Sequence, residues 1–180
     1  TNYNYDKNGN ITKLVREDID SLTYNYSGNK LKSVNDNVLS AFQNNGFSDN
    51  GAFETTEFVY DNNGNMSIDL NKNILGIDYN YLNLPEKITI VAKSDFNSIF
   101  YKYNANGTKR VKQTRINGEI VKTTNYIGNF VYENGSLKYI LTSEGQVVPE
   151  SGEMVYQYFI KDHLGNNRVM FDEDNQVRQR

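Results

Sequence analysis

The sequence of 180 residues contains no cysteine, a single histidine and only two prolines. Without cysteine, the chain cannot form disulfide frameworks, thiol nucleophiles or zinc–thiolate sites. A lone histidine, His163, excludes metal sites built from several histidines and leaves histidine acid–base chemistry one candidate position. We therefore predict neither a metal site nor a cofactor.

Two further absences concern membranes and nucleic acids. No apolar run approaches the roughly 18 residues that a bilayer crossing needs, and no signal-peptide pattern opens the chain. The 19 basic and 22 acidic residues give a net charge of −3, whereas nucleic-acid-binding proteins normally carry a basic excess or a basic stripe. We expect no membrane span in this segment and no nucleic-acid partner.

Asparagine is the most frequent residue, with 28 copies, beside 14 tyrosines and 13 glycines. The mean hydropathy of −0.71 is low enough for a disordered chain, but disordered chains are poor in aromatic residues, which here reach 13%. Tyrosine favours the pleated sheet, and asparagine and glycine supply turn positions with positive φ. This composition favours strands joined by tight turns.

A short motif recurs along the chain, first as Tyr3-Asn4-Tyr5-Asp6-Lys7-Asn8-Gly9-Asn10. Further copies begin at Tyr24, Phe58, Tyr79 and Tyr101, and two degenerate copies begin at Val131 and Tyr158. The second aromatic positions of the first five copies are 5, 26, 60, 81 and 103, which are 21, 34, 21 and 22 residues apart. The spacing predicts a unit of about 21 residues with one insertion.

Each unit reads as a β-hairpin. Two aromatic residues separated by one polar residue lie on the same face of a strand. An aspartate at the first turn position can accept hydrogen bonds from backbone amides two residues on, and glycine takes the left-handed conformation. Seven Asn-Gly pairs strengthen the hairpin signal. The clearest motif residues are Tyr5, Asp6, Gly9, Asn10, Tyr60, Asp61, Gly64 and Asn65.

The predicted fold is all-β: tandem antiparallel hairpins that form a curved open sheet of about a dozen strands. Residues 1–180 form a single segment, with hairpins over 1–34 and 56–155 and a distinct final motif over 156–180. Residues 35–55 break the repeat, and we interpret them as a loop insertion with a single helical turn at Val38–Gln43.

The hairpin motif resembles the YD repeats of bacterial RHS proteins. The final copy is similar to the signature of the RHS repeat-associated core, on the residues Asp162, His163, Leu164, Gly165, Arg168 and Asp172. Tyr79–Pro85 and Asp69–Lys72 are similar to the version found in Bacteroides-type bacteria.

The resemblance implies a structural, non-catalytic role. YD repeats of this family wind a continuous sheet into a hollow shell, and the core motif precedes a variable C-terminal domain that is often a toxin. The resemblance also implies a secreted or cell-surface protein whose partners are its own flanking repeats and that variable domain. This chain holds too few repeats to close a shell and stops short of the expected cleavage segment. We therefore expect exposed sheet edges and a homodimer through them.

Three sharper interpretations compete with this role. The Asp6 and Asp61 loops place glycine at position 4, not at position 6 as in a calcium-binding EF-hand loop, so turn geometry explains them better. His163, between Asp162 and Arg168, lacks the nucleophile context of a catalytic triad, and we predict no enzyme activity.

The third interpretation is a cell-surface adhesin or carbohydrate-binding module whose exposed tyrosines stack on a glycan. Its candidate residues are Tyr79, Tyr81, Tyr101 and Tyr103. Stacking on nucleic acid would also need a cationic groove, and strand alternation spreads the local basic residues over both faces. These basic residues are Lys102, Lys109, Arg110, Lys112 and Arg115.

Overall fold

The computed structural model describes residues 1–38, 46–49, 55–92 and 95–179. These residues form seventeen strands and one 3₁₀ turn. Each strand is hydrogen-bonded to its sequence neighbours within its sheet, and the pairings are antiparallel, as in β1–β2, β2–β3 and β10–β11. The predicted all-β fold of antiparallel hairpins is confirmed. The predicted helical turn at Val38–Gln43 falls, apart from Val38, outside the described residues.

The strands belong to two sheets, where the sequence predicts about a dozen strands in one. Strands β1–β4 form a four-stranded sheet, and β5–β17 form a second sheet of thirteen strands in which each strand is bonded to its sequence neighbours. The break falls between β4 and β5, because the insertion between these strands interrupts the repeat of hairpins. The chain also divides into two compact units, Thr1–Ser98 and Ile99–Arg180, with the division inside β9.

The first unit contains eight complete strands and the 3₁₀ turn. They are β1 Asn2–Tyr5, β2 Ile11–Arg16, β3 Asp20–Ser27, β4 Lys30–Asp36, β5 Phe58–Tyr60, β6 Met66–Asp69, the 3₁₀ turn Leu70–Lys72, β7 Ile74–Tyr79 and β8 Pro85–Ala92. Strand β9, Asp95–Tyr103, begins in this unit and ends in the next.

The core of the first unit lies where β3 and β4 meet β5. Leu22, Val34 and Phe58 are buried together, and burying side chains of this size contributes about 1.5–3 kcal/mol each. Half-buried apolar residues surround them, namely Leu14, Tyr24, Leu31, Phe47, Tyr60 and Met66. The core thus joins the last strand of the small sheet to the first strand of the large one.

The second unit continues the meander with eight strands after β9. They are β10 Lys109–Ile116, β11 Glu119–Ile127, β12 Phe130–Glu133, β13 Ser136–Leu141, β14 Gly145–Glu150, β15 Glu153–Lys161, β16 Asn167–Asp172 and β17 Val177–Gln179.

Apolar residues lie on both faces of the second unit, and one face also carries a polar cluster. Residues directly opposite in neighbouring strands share a face, and one such row runs through Ile127, Phe130, Ile140, Val147 and Tyr156. On the other face, Gln157 lies opposite Gln146 on one side and Asp172 on the other. Val155 and Phe159 alternate with Gln157 along β15 and share its face, so this face combines apolar residues with a cluster of amide and carboxylate groups.

Candidate functional site: the loop ends of the hairpins

Within the described residues, six five-residue loops close hairpins in the same way, and we call them Asx loops because each begins with aspartate or asparagine. In every one, the backbone amide of the first residue donates to the carbonyl of the fifth, and the amide of the fourth donates to the carbonyl of the first. The side-chain oxygen of the first residue also accepts a hydrogen bond from the amide of the fifth. The loops are Asp6–Asn10, Asp61–Asn65, Asn80–Leu84, Asn104–Thr108, Asp162–Asn166 and Asp172–Gln176.

The Asp61 loop illustrates the geometry. The Asp61 amide donates to the Asn65 carbonyl at 2.8 Å, and the Gly64 amide donates to the Asp61 carbonyl at 3.1 Å. Asp61 Oδ1 accepts from the amides of Asn63 at 2.9 Å and Asn65 at 2.8 Å. The fourth position has positive φ, 86° at Gly64, which glycine adopts without steric cost. Asparagine fills this position in two loops, as Asn83 and Asn175.

In three loops the side-chain amide of the fifth residue binds the carboxylate of the first. The side-chain amides of Asn10, Asn65 and Asn166 donate to the second oxygen of the aspartate in their own loop. These amides, followed by the backbone amides of the loop, lower the pKa of Asp6, Asp61 and Asp162, because hydrogen bonds to a carboxylate favour its charged form. The loop oxygens are thus occupied by donors of the chain itself.

Two tyrosine hydroxyl groups each join a hairpin to the one before it. The Tyr26 hydroxyl donates to the carbonyl of Ile11 at 3.0 Å, and the Tyr79 hydroxyl donates to the carbonyl of Met66 at 2.7 Å. Ile11 and Met66 are the first residues of the return strands in the preceding hairpins. Partial burial raises the pKa of both tyrosines. These hydroxyls therefore act as lateral links between repeats.

Asparagine side chains make a second lateral link at the same ends. Asn10 Nδ2 donates to Asn29 Oδ1 at 3.1 Å, across two neighbouring hairpin turns. Asn63 and Asn65 both donate to Asn83 Oδ1 at 3.0 Å in the next pair of turns. These links account for part of the high asparagine content, which the sequence attributes to turn conformation alone.

The predicted alignment of the fourth repeat is wrong by two residues. Tyr79 ends β7 and precedes the Asx loop at Asn80, so Tyr79 corresponds to Tyr5 and Tyr60. Tyr81 lies in the loop itself, with 84% of its surface exposed. Tyr79 and Tyr81 therefore do not form a pair on one strand face. The error arose because asparagine replaces both the aspartate and the glycine of this loop.

The other predicted stacking pair lies on one strand face. The rings of Tyr101 and Tyr103 are 6.3 Å apart with an interplanar angle of 36°. Lys109 Nζ lies 5.3 Å from the ring centroids of both Tyr101 and Tyr126, an attractive cation–π geometry. The rings of Tyr101 and Tyr103 are half-buried, so part of their surface already contacts other residues of the sheet.

A more exposed aromatic pair occurs on β1. Tyr3 and Tyr5 are 51% and 59% exposed, and their rings are stacked with centroids 6.3 Å apart and an interplanar angle of 22°. Sequence reasoning placed Tyr5 among the structural motif residues and did not single out this pair for binding. The alternation of Tyr3, Asn4 and Tyr5 does predict that the two rings lie on the same face of a strand.

The final motif forms the fifth Asx loop. Asp162 Oδ1 accepts from the Leu164 and Asn166 amides at 3.0 and 2.9 Å, and Arg168 Nε donates to Oδ2 at 3.0 Å. His163 is exposed at the second loop position, and Gly165 takes φ 85° at the fourth. The arrangement closes the hairpin between β15 and β16. Asp172 then begins the sixth loop at the end of β16.

The basic residues around β10 are split between aromatic contacts and solvent. Besides Lys109, the guanidinium of Arg115 lies 4.3 Å from the ring centroid of Phe100 and donates to Gln113 Oε1 at 3.1 Å. Lys102 and Arg110 are exposed. Two of these cations therefore cover aromatic rings of the sheet.

A polar network around Gln157 runs from β14 to β17. The buried Gln157 accepts from Gln146 Nε2 at 2.7 Å and donates to Glu150 Oε1 at 3.3 Å. Arg178 contacts Glu150 at 3.4 Å and Asp172 at 2.7 Å. Burial opposes ionisation of Asp172, but donors including the Gln176 amide and Arg178 outweigh it and lower its pKa.

A cleft of about 310 Å³ opens beside this network at the outer strand. Its lining residues are Gln146, Phe159, Asn167, Arg168, Val169, Met170 and Gln179. Among the described residues, no three acidic or histidine side chains gather in a way that could ligate a metal ion. The described ranges also contain no helix with the length and apolar character that a membrane crossing requires.

These features define a protein of tandem antiparallel β-hairpins whose loop ends are linked by tyrosine and asparagine side chains. No protein-family model matches the sequence, and no curated protein matches it. The fold is similar to that of a chain in the crystal structure of TcdB2-TccC3-TEV, with a TM-score of 0.58 and 14% sequence identity over 97% of this chain. The matched region is 9% of the length of that chain. This likeness concerns the fold alone.

Proposed function

We propose that this chain is a non-catalytic segment of an encapsulating β-shell in a secreted or cell-surface protein of the RHS type. The observation that carries the proposal is the lateral linking of hairpins. The hydroxyls of Tyr26 and Tyr79 and the side chain of Asn83 are used between repeats. Side chains at the loop ends that are already bonded to the neighbouring repeat favour a structural wall over a catalytic cleft.

The mechanism of such a wall is exclusion. Hydrogen-bonded strands that follow one another without gaps leave few edges to proteases and to other chains. The partners we propose are flanking YD repeats and a variable, toxin-like C-terminal domain kept inactive within the wall. The similarity to a small part of a much longer chain supports a role as one segment among many. Where flanking repeats are lacking, we propose a homodimer through the outer strands.

Limited proteolysis of the full-length protein, followed by mass spectrometry, tests this role. If the region after Arg180 is cut once at a fixed site, resists further digestion and co-purifies with the hairpins, the wall proposal stands. If that region is digested freely, or if the full-length protein has no such region, the containment proposal fails.

A second candidate function is glycan binding, favoured by the exposed stacked pair Tyr3 and Tyr5. Sugar rings stack on flat aromatic surfaces, and these two rings are more exposed than Tyr101 and Tyr103. A glycan array followed by calorimetry on the best ligand would test the idea. Binding should be lost in Tyr3→Ala/Tyr5→Ala and retained in Tyr81→Ala, whose ring lies alone in a loop. An array without any bound glycan would remove this candidate.

A further inference from the structure

Glu57 is a fully buried acidic residue at the junction of the two sheets. It immediately precedes β5, and its backbone is bonded on both sides. Its amide donates to the Lys32 carbonyl on β4 at 2.7 Å, and its carbonyl accepts from the Leu70 amide at 3.0 Å. The residue therefore lies between the last strand of the small sheet and the 3₁₀ turn of the large one.

The Glu57 side chain strengthens the same junction. Its Oε2 atom accepts from the Val34 amide on β4 at 2.9 Å and from Asn71 Nδ2 at 2.7 Å. Val34 also belongs to the apolar core. The carboxyl group thus occupies a backbone donor on the outer edge of β4, where another strand would otherwise pair.

A second carboxylate covers the next donor on that edge. Asp49 Oδ2 accepts from the Asp36 amide at 3.0 Å. Alternate residues of a strand direct their amides to the same edge, so Val34 and Asp36 are neighbouring donors there. Among the described residues, the Val34 and Asp36 amides on the outer edge of β4 therefore donate to acidic side chains, and the Lys32 carbonyl accepts from the Glu57 amide.

The surroundings of Glu57 do not favour a negative charge. Its Oε1 atom is buried without a hydrogen-bond partner in the part of the chain that the structure describes. The charged groups that act on it are Asp49, from the segment 46–49, and Asp69, before the 3₁₀ turn. Lys72 Nζ lies 3.1 Å from Asp69, and no cation of the described residues pairs with Glu57.

Burial is the main cause that raises the pKa of Glu57 above its ordinary value of 4.5, and Asp49 and Asp69 raise it further. The donors Val34 and Asn71 act in the opposite direction and are outweighed. A buried carboxyl without a countercharge keeps its proton at higher pH because ionisation would place an unpaired charge in an apolar region.

We propose that Glu57 is a proton-operated latch: uncharged, it fastens β4 and the four-stranded sheet to β5 and the 3₁₀ turn, and its ionisation at higher pH releases that attachment. Release exposes the Lys32 carbonyl and the Val34 amide, which makes the outer edge of β4 available for pairing. The inference does not depend on the proposed shell function.

The sign of the effect follows from linkage. The closed form binds the Glu57 proton more tightly than the open form, in which water reaches the carboxyl group. Closure is therefore fully favoured below pH 4.5 and weakens as pH rises to the pKa of the closed form. Through that interval the equilibrium constant for opening rises by up to tenfold per pH unit and then levels off.

Hydrogen exchange of the wild-type protein between about pH 4 and pH 9 tests the latch. Exchange rates, divided by the intrinsic rate at each pH, should rise with pH for amides of β1–β4 and not for amides of β11–β15. Glu57→Gln keeps an acceptor for Val34 and Asn71 but cannot ionise, so it should remove the pH-dependent rise. Glu133→Gln, a matched change at a salt-bridged residue of the second unit, should leave the rise unchanged.

A direct titration keeps the test decisive even if Glu57→Gln does not fold. Carbon-13 NMR of the wild-type side-chain carboxyls should show Glu57 titrating above 4.5, over the same pH interval in which β4 opens. The proposal is overturned if Glu57 titrates at or below 4.5, if β1–β4 protection does not change with pH, or if Glu57→Gln retains the full rise.

Discussion

The hydroxyl group of Tyr79 donates a 2.7 Å hydrogen bond to the carbonyl oxygen of Met66, and this bond ties β7 to the first residue of the preceding return strand. Tyr26 makes the equivalent bond to Ile11 at 3.0 Å. Because each hydroxyl donates to a backbone carbonyl within the sheet, these two tyrosines stabilise the contact between repeats. Their hydroxyl groups are therefore not available to bind a ligand.

Removing one such hydroxyl should weaken the sheet measurably. Tyr79→Phe keeps the ring and loses the bond, so the free energy of unfolding should fall by about 1 kcal/mol. Tyr81→Phe, two residues away in the exposed loop, should leave it unchanged. Urea denaturation followed by circular dichroism compares the two variants. Equal effects at both positions would show that the Met66 bond does not stabilise the protein.

The asparagine link gives a second prediction. Asn83→Gly keeps a residue suited to φ 56° but removes the oxygen that accepts from Asn63 and Asn65. We expect a loss of about 0.5–1 kcal/mol for these solvent-exposed bonds. Asn175→Gly is the matched control, because Asn175 holds the same loop position with φ 61° and makes no side-chain link to another hairpin in the described residues. Urea titration should show a smaller loss for the control than for Asn83→Gly.

Gly145 is required by a close backbone approach. A Cβ atom at this position would lie 2.0 Å from the Gln157 carbonyl oxygen on β15, so Gly145→Ala must displace one strand. The expected loss is about 1–3 kcal/mol. Gly76 on β7 has no atom within 4 Å of an added Cβ, and Gly76→Ala should be neutral or gain up to about 1 kcal/mol. Thermal unfolding of both variants checks the contrast, which would be contradicted by similar melting temperatures.

Acid should weaken the Asx loops. The pKa values of Asp6, Asp61 and Asp162 are lower in the folded chain than the ordinary 3.8. Their contribution to stability is therefore present above pH 3.8 and lost as the pH falls through the lowered values. The triple variant with asparagine at these positions should show a smaller drop in melting temperature from about pH 5 to about pH 2.

The loops themselves should survive this change, because Asn80 and Asn104 already begin two natural Asx loops. Asp78→Asn, on the exposed side of β7, is the control and should retain the wild-type acid response. Melting curves recorded by circular dichroism across the pH range make the comparison. An unchanged acid response in the triple variant would contradict the role of these carboxylates.

Local turn chemistry was readable from the sequence, and lateral contacts were not. Asp6, Gly9 and Asn10 carry their conformational roles within five residues, so their spacing predicts a hairpin. The bond from Tyr26 to Ile11 spans fifteen residues and depends on the register between β2 and β3, which alternation alone does not fix. The alignment at Tyr81 failed for a related reason, since Asn83 supplies the left-handed residue that the pattern assigns to glycine.

The burial of Glu57 could not be predicted from the sequence either. It stands in Thr55-Thr56-Glu57-Phe58, where alternation gives no reason to bury a carboxyl group. Its position is set by the edge of β4, twenty-three residues earlier, because an unpaired buried amide needs an acceptor. A polar side chain that binds the backbone of a distant strand can be identified only when the positions of both segments in the fold are known.

The shared geometry of the Asx loops has a consequence for how such a chain can change over generations. Each loop shares one acceptor oxygen at its first position and one residue with positive φ at its fourth, while the residues at the other three positions differ from loop to loop. Selection then acts on a few atoms per hairpin, and a whole hairpin can be gained or lost while the remaining neighbour contacts persist. We therefore expect related chains to retain the spacing of these loops longer than the identity of the residues within them.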